Sequence, residues 1–180
     1  MSKPLDILSF PLSGLRLIEA SAGTGKTYTI AGLYLRLLLG HGAGEAGFGT
    51  PLLVDRILVV TFTEAATAEL RERILKAIRQ LRRAFEVGHS DDELHQALLT
   101  SCTDHAELAL KQLLAAERQI DEAAIFTIHG FCQRMLTQNA FESGALFDNE
   151  FLTEEQQLRE QTVADFWRQI TWQADVALAQ

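Results

Sequence analysis

One segment constrains this chain's fold more than any other: Ala20-Ser21-Ala22-Gly23-Thr24-Gly25-Lys26-Thr27. Residues 15–20 precede and run into it, and their alternating apolar side chains predict a β-strand. Ile30, Leu33, Tyr34, Leu37 and Leu38 follow at helical spacing and predict a helix over residues 25–39. A glycine-bearing turn between a strand and a helix is how many parallel α/β domains begin.

The chemistry of the turn follows from its residue types. Gly23 and Gly25 permit backbone angles that other residues resist, and they let an anion approach the main chain. The amides of such a turn and of the helix start point at phosphate oxygens. Lys26 can then reach β- and γ-phosphates, and the Thr27 hydroxyl can ligate Mg²⁺. This is a Walker A pattern with Ala20 in its first position, where glycine is general. Relaxed to glycine or alanine, the pattern arises by chance in about 1% of chains this long. Residues Ala20 to Thr27 are therefore predicted to bind ATP with Mg²⁺, Lys26 and Thr27 carrying the chemistry. Hydrolysis needs a further carboxylate at the end of an apolar strand. Asp55 precedes the better strand, and Asp121-Glu122 follows a polar, helical stretch, so neither is assigned that role.

Residues 57–62 are continuously apolar and β-branched, which predicts a strand buried on both faces of a parallel sheet. Thr63 is a suitable cap for a helix over 64–87, with Gly88 as its stop. Its apolar stripe is Leu70, Ile74, Ala77, Ile78, Leu81 and Phe85. Arg71, Lys76, Arg79, Arg82 and Arg83 lie on another side, with Glu69–Arg73, Glu72–Lys76 and Arg82–Glu86 as i,i+4 pairs. Helices over 91–100 and 104–119, a strand over 124–128 and a helix over 130–139 follow. The glycine-rich residues 41–51 read as a flexible surface loop. Thr153-Glu154-Glu155-Gln156 has the capping-box pattern and opens a last helix with Leu158, Val163, Phe166, Trp167 and Ile170. That helix meets no stop before Gln180, so the chain is expected to continue past it. Three strands alternating with helices predict a three-layer α/β domain with an incomplete parallel sheet.

Composition narrows the function classes. Over 180 residues, 47% are hydrophobic and 22% charged, which excludes a disordered or collagen-like chain. No apolar run is long enough to span a membrane, and no secretory signal is visible at the N-terminus. Cys102 and Cys132 have no metal or redox spacing, as expected of reduced thiols in a cytoplasmic protein. The net charge of −8 is unevenly spread: residues 1–87 carry +3 and residues 88–180 carry −11. Because screening confines a charge to roughly 8–10 Å, the acidic total does not exclude nucleic acid as a partner of the first half.

Three segments occur in order: the Ala20–Thr27 loop, the run from Val60-Thr61-Phe62-Thr63-Glu64-Ala65-Ala66 through Arg71-Glu72-Arg73, and Thr127-Ile128-His129-Gly130-Phe131-Cys132. Together they resemble motif I, motif Ia and the Thr-x-His motif of the UvrD/Rep-like DNA helicases, with the leading alanine that is typical there. Within that family the spelling resembles the helicase–nuclease subunits of bacterial exonuclease V complexes more closely still. The resemblance covers about residues 12–170 and implies a P-loop NTPase, RecA-like fold. It implies an ATP-driven motor on single-stranded DNA that acts at double-stranded DNA ends in recombinational repair, beside RecC-like and RecD-like subunits of a heterotrimer. Phe62, Thr63, Arg71, Thr127 and His129 would then face DNA. Residues 1–140 would be the first part of the first motor domain, and residues 141–180 would begin a helical accessory domain.

Plainer roles stand beside these. Phe62 ends an apolar strand and reads equally as core, and His129 could cap the next helix. The last-helix stripe reads as core or an inter-domain surface. No glutamine motif precedes the first strand, so adenine specificity rests on the resemblance alone. The isolated chain is expected to bind nucleotide weakly and not to unwind DNA. Two rival functions fit a phosphate loop: a small P-loop nucleotide or metabolite kinase, and a non-enzymatic docking module.

Overall fold

Helix boundaries in the computed structural model fall where the sequence supplies caps. The structure describes residues 5–19, 21, 23, 25–139, 142 and 155–178. Helix α1 spans Lys26–Leu39 and ends at Gly40, whose φ of 63° is left-handed. Helix α2 spans Glu64–Val87. The Thr63 hydroxyl accepts from the Ala66 amide at its start, and Gly88, at φ 80°, ends it. Helix α3 spans Glu93–Ser101, capped by the Asp92 carboxylate, which accepts from the His95 amide. Helices α4 (Ala106–Arg118), α5 (Ile128–Gln138) and α6 (Gln156–Leu178) follow. Thr153 and Glu154 of the expected capping box lie outside the described residues.

Strands β1 (Val59–Thr61) and β2 (Ile125–Thr127) pair in parallel, with Val59 opposite Ile125 and Thr61 opposite Thr127. The chain between them includes α2, α3 and α4, the long crossover that parallel pairing requires. The α/β class therefore holds, but the sheet has two strands among the described residues, not three. Residues 15–19 form no strand: Leu15 is 97% exposed and Leu17 83% exposed. The alternation is present in the sequence, but a strand needs a partner strand, and residues 15–19 form no β-ladder with any described residue. Strand β1 is likewise not buried on both faces. Leu58 and Val60 are exposed on one side, while the helices pack on the other.

The core lies among α1 to α4 and β2. Tyr34, Leu35 and Leu38 from α1 meet Ile74, Ile78 and Leu81 from α2, Leu98 from α3, Leu113 from α4 and Ile125 from β2. Each such fully buried aliphatic side chain contributes about 1.5–3 kcal/mol relative to exposure. Polar contacts fix the packing angles. Glu117 of α4 accepts from Arg79 and Arg82 of α2 at 2.9 and 2.8 Å. Burial pushes the Glu117 carboxyl up, but the two guanidinium groups outweigh it and hold the carboxyl below its usual range. Arg79 and Arg82 are thus interhelical ties as well as surface charges. The pairs Glu69–Arg73 and Arg82–Glu86 form as expected, whereas Glu72 and Lys76 form no ion pair with each other.

Arg36 is the one fully buried charged side chain among the described residues. Its guanidinium donates to the carbonyl oxygens of Ile7 (2.6 Å), Phe10 (2.7 Å) and Ala46, and its Nε donates to Nδ1 of His41. The 41–51 loop is therefore fastened to α1. Gly42 matters to this fastening, because a Cβ there would lie 2.3 Å from the Ala46 oxygen.

The chain divides into two compact units, Met1–Cys132 and Gln133–Gln180. In α6 of the second unit, Leu158, Val163, Phe166, Trp167 and Ile170 are exposed, so this stripe is not core among the described residues. No described helix is long and apolar enough to cross a membrane. Both cysteines are free thiols.

Candidate nucleotide and nucleic-acid site

The phosphate loop is built by two glycines and a helix start. Gly23 and Gly25 adopt φ of 80° and 84°, the left-handed region in which a Cβ is strained. Gly25 is the cap of α1 and offers no side-chain acceptor, and the first turn contains no acidic residue. The leading amides and the positive end of the helix dipole are thus left unneutralised by α1's own side chains. Ser21, Gly23, Gly25 and Lys26 are exposed. The Lys26 ammonium reaches back over the turn and donates to the Ser21 carbonyl oxygen at 2.8 Å. This bond holds the amine over the loop and is of the kind an anionic oxygen can take over. Ala20, Ala22 and Thr24 lie outside the described residues. Two left-handed glycines, a helix start without acidic residues and an exposed primary amine make a donor set whose chemistry suits phosphate oxygens. Thr27 stands one residue into α1 and is the side chain that would hold Mg²⁺.

Sequence reasoning did not anticipate how α1 is anchored. The phenol of Tyr28, next to Thr27, donates to both carboxylate oxygens of Asp92, at 3.1 and 3.2 Å. Asp92 also caps α3, so the first turn of α1 is tied to the start of α3. Burial, then the Asp92 charge, pushes the Tyr28 phenol up to about 12. The partners are 64 residues apart, and no local pattern announces the pair. Between α1, α2 and α3 a cavity of about 200 Å³ is lined by Thr27, Tyr28, Lys76, Asp92 and His95, among others.

A second group of predicted residues gathers at the C-terminal ends of β1 and β2. Thr61 and Thr127 sit opposite each other. Immediately beyond β1, Phe62 is 85% exposed, so it is not a core residue. Thr63 caps α2 with its hydroxyl. Beyond β2, the Thr127 hydroxyl accepts from the Gly130 amide at 3.0 Å and so caps α5. His129 is exposed in the first turn of that helix and does not supply the Gly130 cap. Two helix N-termini, two threonines, an exposed aromatic ring and an imidazole therefore share one end of the sheet, the end at which parallel α/β sheets bind ligands. Thr61 closes the group from within: its hydroxyl bonds the Thr67 hydroxyl at 2.5 Å and the Thr63 carbonyl at 3.1 Å.

Arg71 is placed differently from the other four. Its Nη1 and Nη2 donate to the carbonyl oxygens of Ile120 (3.1 Å) and Ile125 (3.0 Å). The acidic residues set aside in the sequence stand in short 3-10 turns: Asp55 is 3.6 Å from Arg56, and Asp121 and Glu122 are exposed. No cluster of three or more metal-ligating side chains occurs among the described residues.

The UvrD/REP helicase N-terminal domain family matches residues 5–179. Curated relatives agree with it. The RecBCD enzyme subunit RecB of Escherichia coli K12 is 60% identical over 93% of this chain and 14% of its own length. The proteins of that name from Haemophilus influenzae and Chlamydia muridarum are 48% and 36% identical, over 92% and 90% of this chain. The chain spans only about one seventh of these relatives, 14% and 15% of their lengths in the latter two.

Proposed function

This chain belongs to the UvrD/REP helicase family, and we propose that it is the ATP-binding N-terminal part of a RecB-like, ATP-dependent DNA helicase–exonuclease subunit. Residues 1–140 then form the first part of its first motor domain, and residues 141–180 begin a helical accessory domain. The protein works at double-stranded DNA ends in recombinational repair, in the cytoplasm, with RecC-like and RecD-like partners.

One observation carries this reading. The chain carries a glycine turn with an exposed Lys26 at the start of α1 and, separately, a strand-end surface with an exposed aromatic and two capped helix starts. A kinase needs only the first. In the proposed site the amides of residues 20–27 and the Lys26 ammonium would bind the phosphates, and the Thr27 hydroxyl would hold Mg²⁺, which when bound would offset negative charge on the phosphates. Thr63 and His129 offer donors to DNA phosphates and Phe62 offers a face to a base, while Thr127, expected to face DNA, is buried and caps the helix that carries His129. Arg71 lies behind these contacts.

The test is ATP turnover by the full-length protein, with and without single-stranded DNA. The motor reading expects turnover to rise on adding DNA. Turnover that ignores DNA, with phosphate passed to a small acceptor, would instead establish a kinase.

A further inference from the structure

A sheet that joined a strand ahead of the phosphate loop to β1 would couple nucleotide to DNA directly. Residues 15–19 form no such strand, and α1 instead packs on α2. The atoms that join these parts therefore lie between the helices.

Arg71 stands at that junction. It is half-buried in the second turn of α2, the helix that begins at Thr63. Its two Nη atoms fork to Ile120 O and Ile125 O. The Val59 amide donates to Ala124 O, so the next carbonyl along, that of Ile125, points away from β1. Arg71 satisfies that carbonyl, two residues before Thr127. Helix α1 packs on α2, and Tyr34 of α1 shares the core with Leu70, the residue before Arg71. Tyr34 is a buried residue of α1, two turns beyond Lys26.

We propose that Arg71 is a positioning residue of the motor: forked between Ile120 and Ile125, it locks the helix behind Phe62 and Thr63 to the strand ahead of Thr127 and His129, so that both DNA-facing edges respond together to nucleotide held at Lys26. This rests on the motor reading above. It differs from a direct phosphate contact, because the guanidinium is spent on protein carbonyls. Lysine cannot replace it, since one ammonium on a flexible stem does not reproduce the planar fork.

The experiment measures single-stranded DNA affinity of the full-length protein, with and without a non-hydrolysable ATP analogue, at several salt concentrations. The ratio of the two affinities is the coupling factor, typically 5–150-fold where two sites are linked. In Arg71→Lys the factor is expected to fall to within about twofold of unity. Nucleotide-free DNA affinity stays within about threefold, and the slope of log affinity against log salt is unchanged. A wild-type coupling factor in the variant overturns the proposal. So does a salt slope shallower by about one in Arg71→Gln but kept in Arg71→Lys, the mark of a direct phosphate contact. If neither variant folds, Arg71 serves stability alone and the proposal fails. A wild-type protein that binds no single-stranded DNA would sink the motor reading itself, a distinct result.

Discussion

Thr61 and Thr127 stand directly opposite each other at the ends of two parallel strands, and each leads into a helix capped by a threonine hydroxyl. This pairing brings two sequence motifs more than sixty residues apart to one edge. It also sets what each neighbouring side chain can do. Thr61 is turned inward to Thr67, while Phe62, one residue on, is turned to solvent.

Because Phe62 is solvated in the free chain, its removal should spare folding and cost binding. Phe62→Ala is expected to leave the melting temperature within about 2 °C, since exposed positions away from special features change stability by under ~0.5 kcal/mol. Single-stranded DNA affinity of the full-length protein should fall by about 1–3 kcal/mol, the usual worth of one base stacked on an aromatic ring. A large loss of stability with unchanged DNA affinity would return Phe62 to a core role.

Gly130 offers a test of sign. Alanine in a helix interior normally stabilises by about 0.8–1.0 kcal/mol relative to glycine. Here a Cβ would lie 3.1 Å from the Thr127 hydroxyl oxygen, which is buried and bonded to the Gly130 amide. Gly130→Ala is therefore expected to destabilise, by roughly 0.5–1.5 kcal/mol, as the Thr127 rotamer is displaced. Urea unfolding of the wild type and the variant measures this, and a net gain in stability would show that the cap yields freely.

Two histidines give the protein a pH-dependent stability. Burial, then the charge of Arg36, holds His41 below the usual imidazole range. Burial likewise lowers His95, partly opposed by Asp92. Between the lowered folded values and about 6.5, the unfolded chain binds more protons than the folded one. The contribution is thus complete above about pH 6.5 and is lost as pH falls through the folded values. Denaturant midpoints at pH 7.5 and 5.5 should show lower stability at the acid value, and His41→Asn should reduce the difference. An unchanged midpoint across this range would contradict the assignment.

Local chemistry was readable in the sequence where one residue acts on its neighbours. Thr63 and Gly88 mark helix ends through bonds within a few residues, and α2 begins at Glu64 and ends at Val87 as its caps dictate. The glycine turn was legible for the same reason, since positive φ at Gly23 and Gly25 is a local requirement. Contacts made by the tertiary fold were not. Alternation in residues 15–20 announced a strand, but a strand exists only when another pairs with it. The fork of Arg71, the Tyr28–Asp92 bond and the Arg36 staple each span long stretches of chain or end on backbone carbonyls, which leave no pattern in residue types. The exposure of Phe62 was undecidable for a related reason: an apolar residue at a strand end reads the same whether or not something covers it.

Everything assigned to the motor depends on Lys26 completing a cradle for a triphosphate. The most direct measurement is ATP turnover by the full-length protein at saturating single-stranded DNA, wild type against Lys26→Ala, with DNA affinity measured in parallel. The account predicts a fall in turnover of about 10²-fold or more, the scale of losing one preorganised charge-stabilising donor, with nucleotide-free DNA affinity preserved. Undiminished turnover in Lys26→Ala would contradict it.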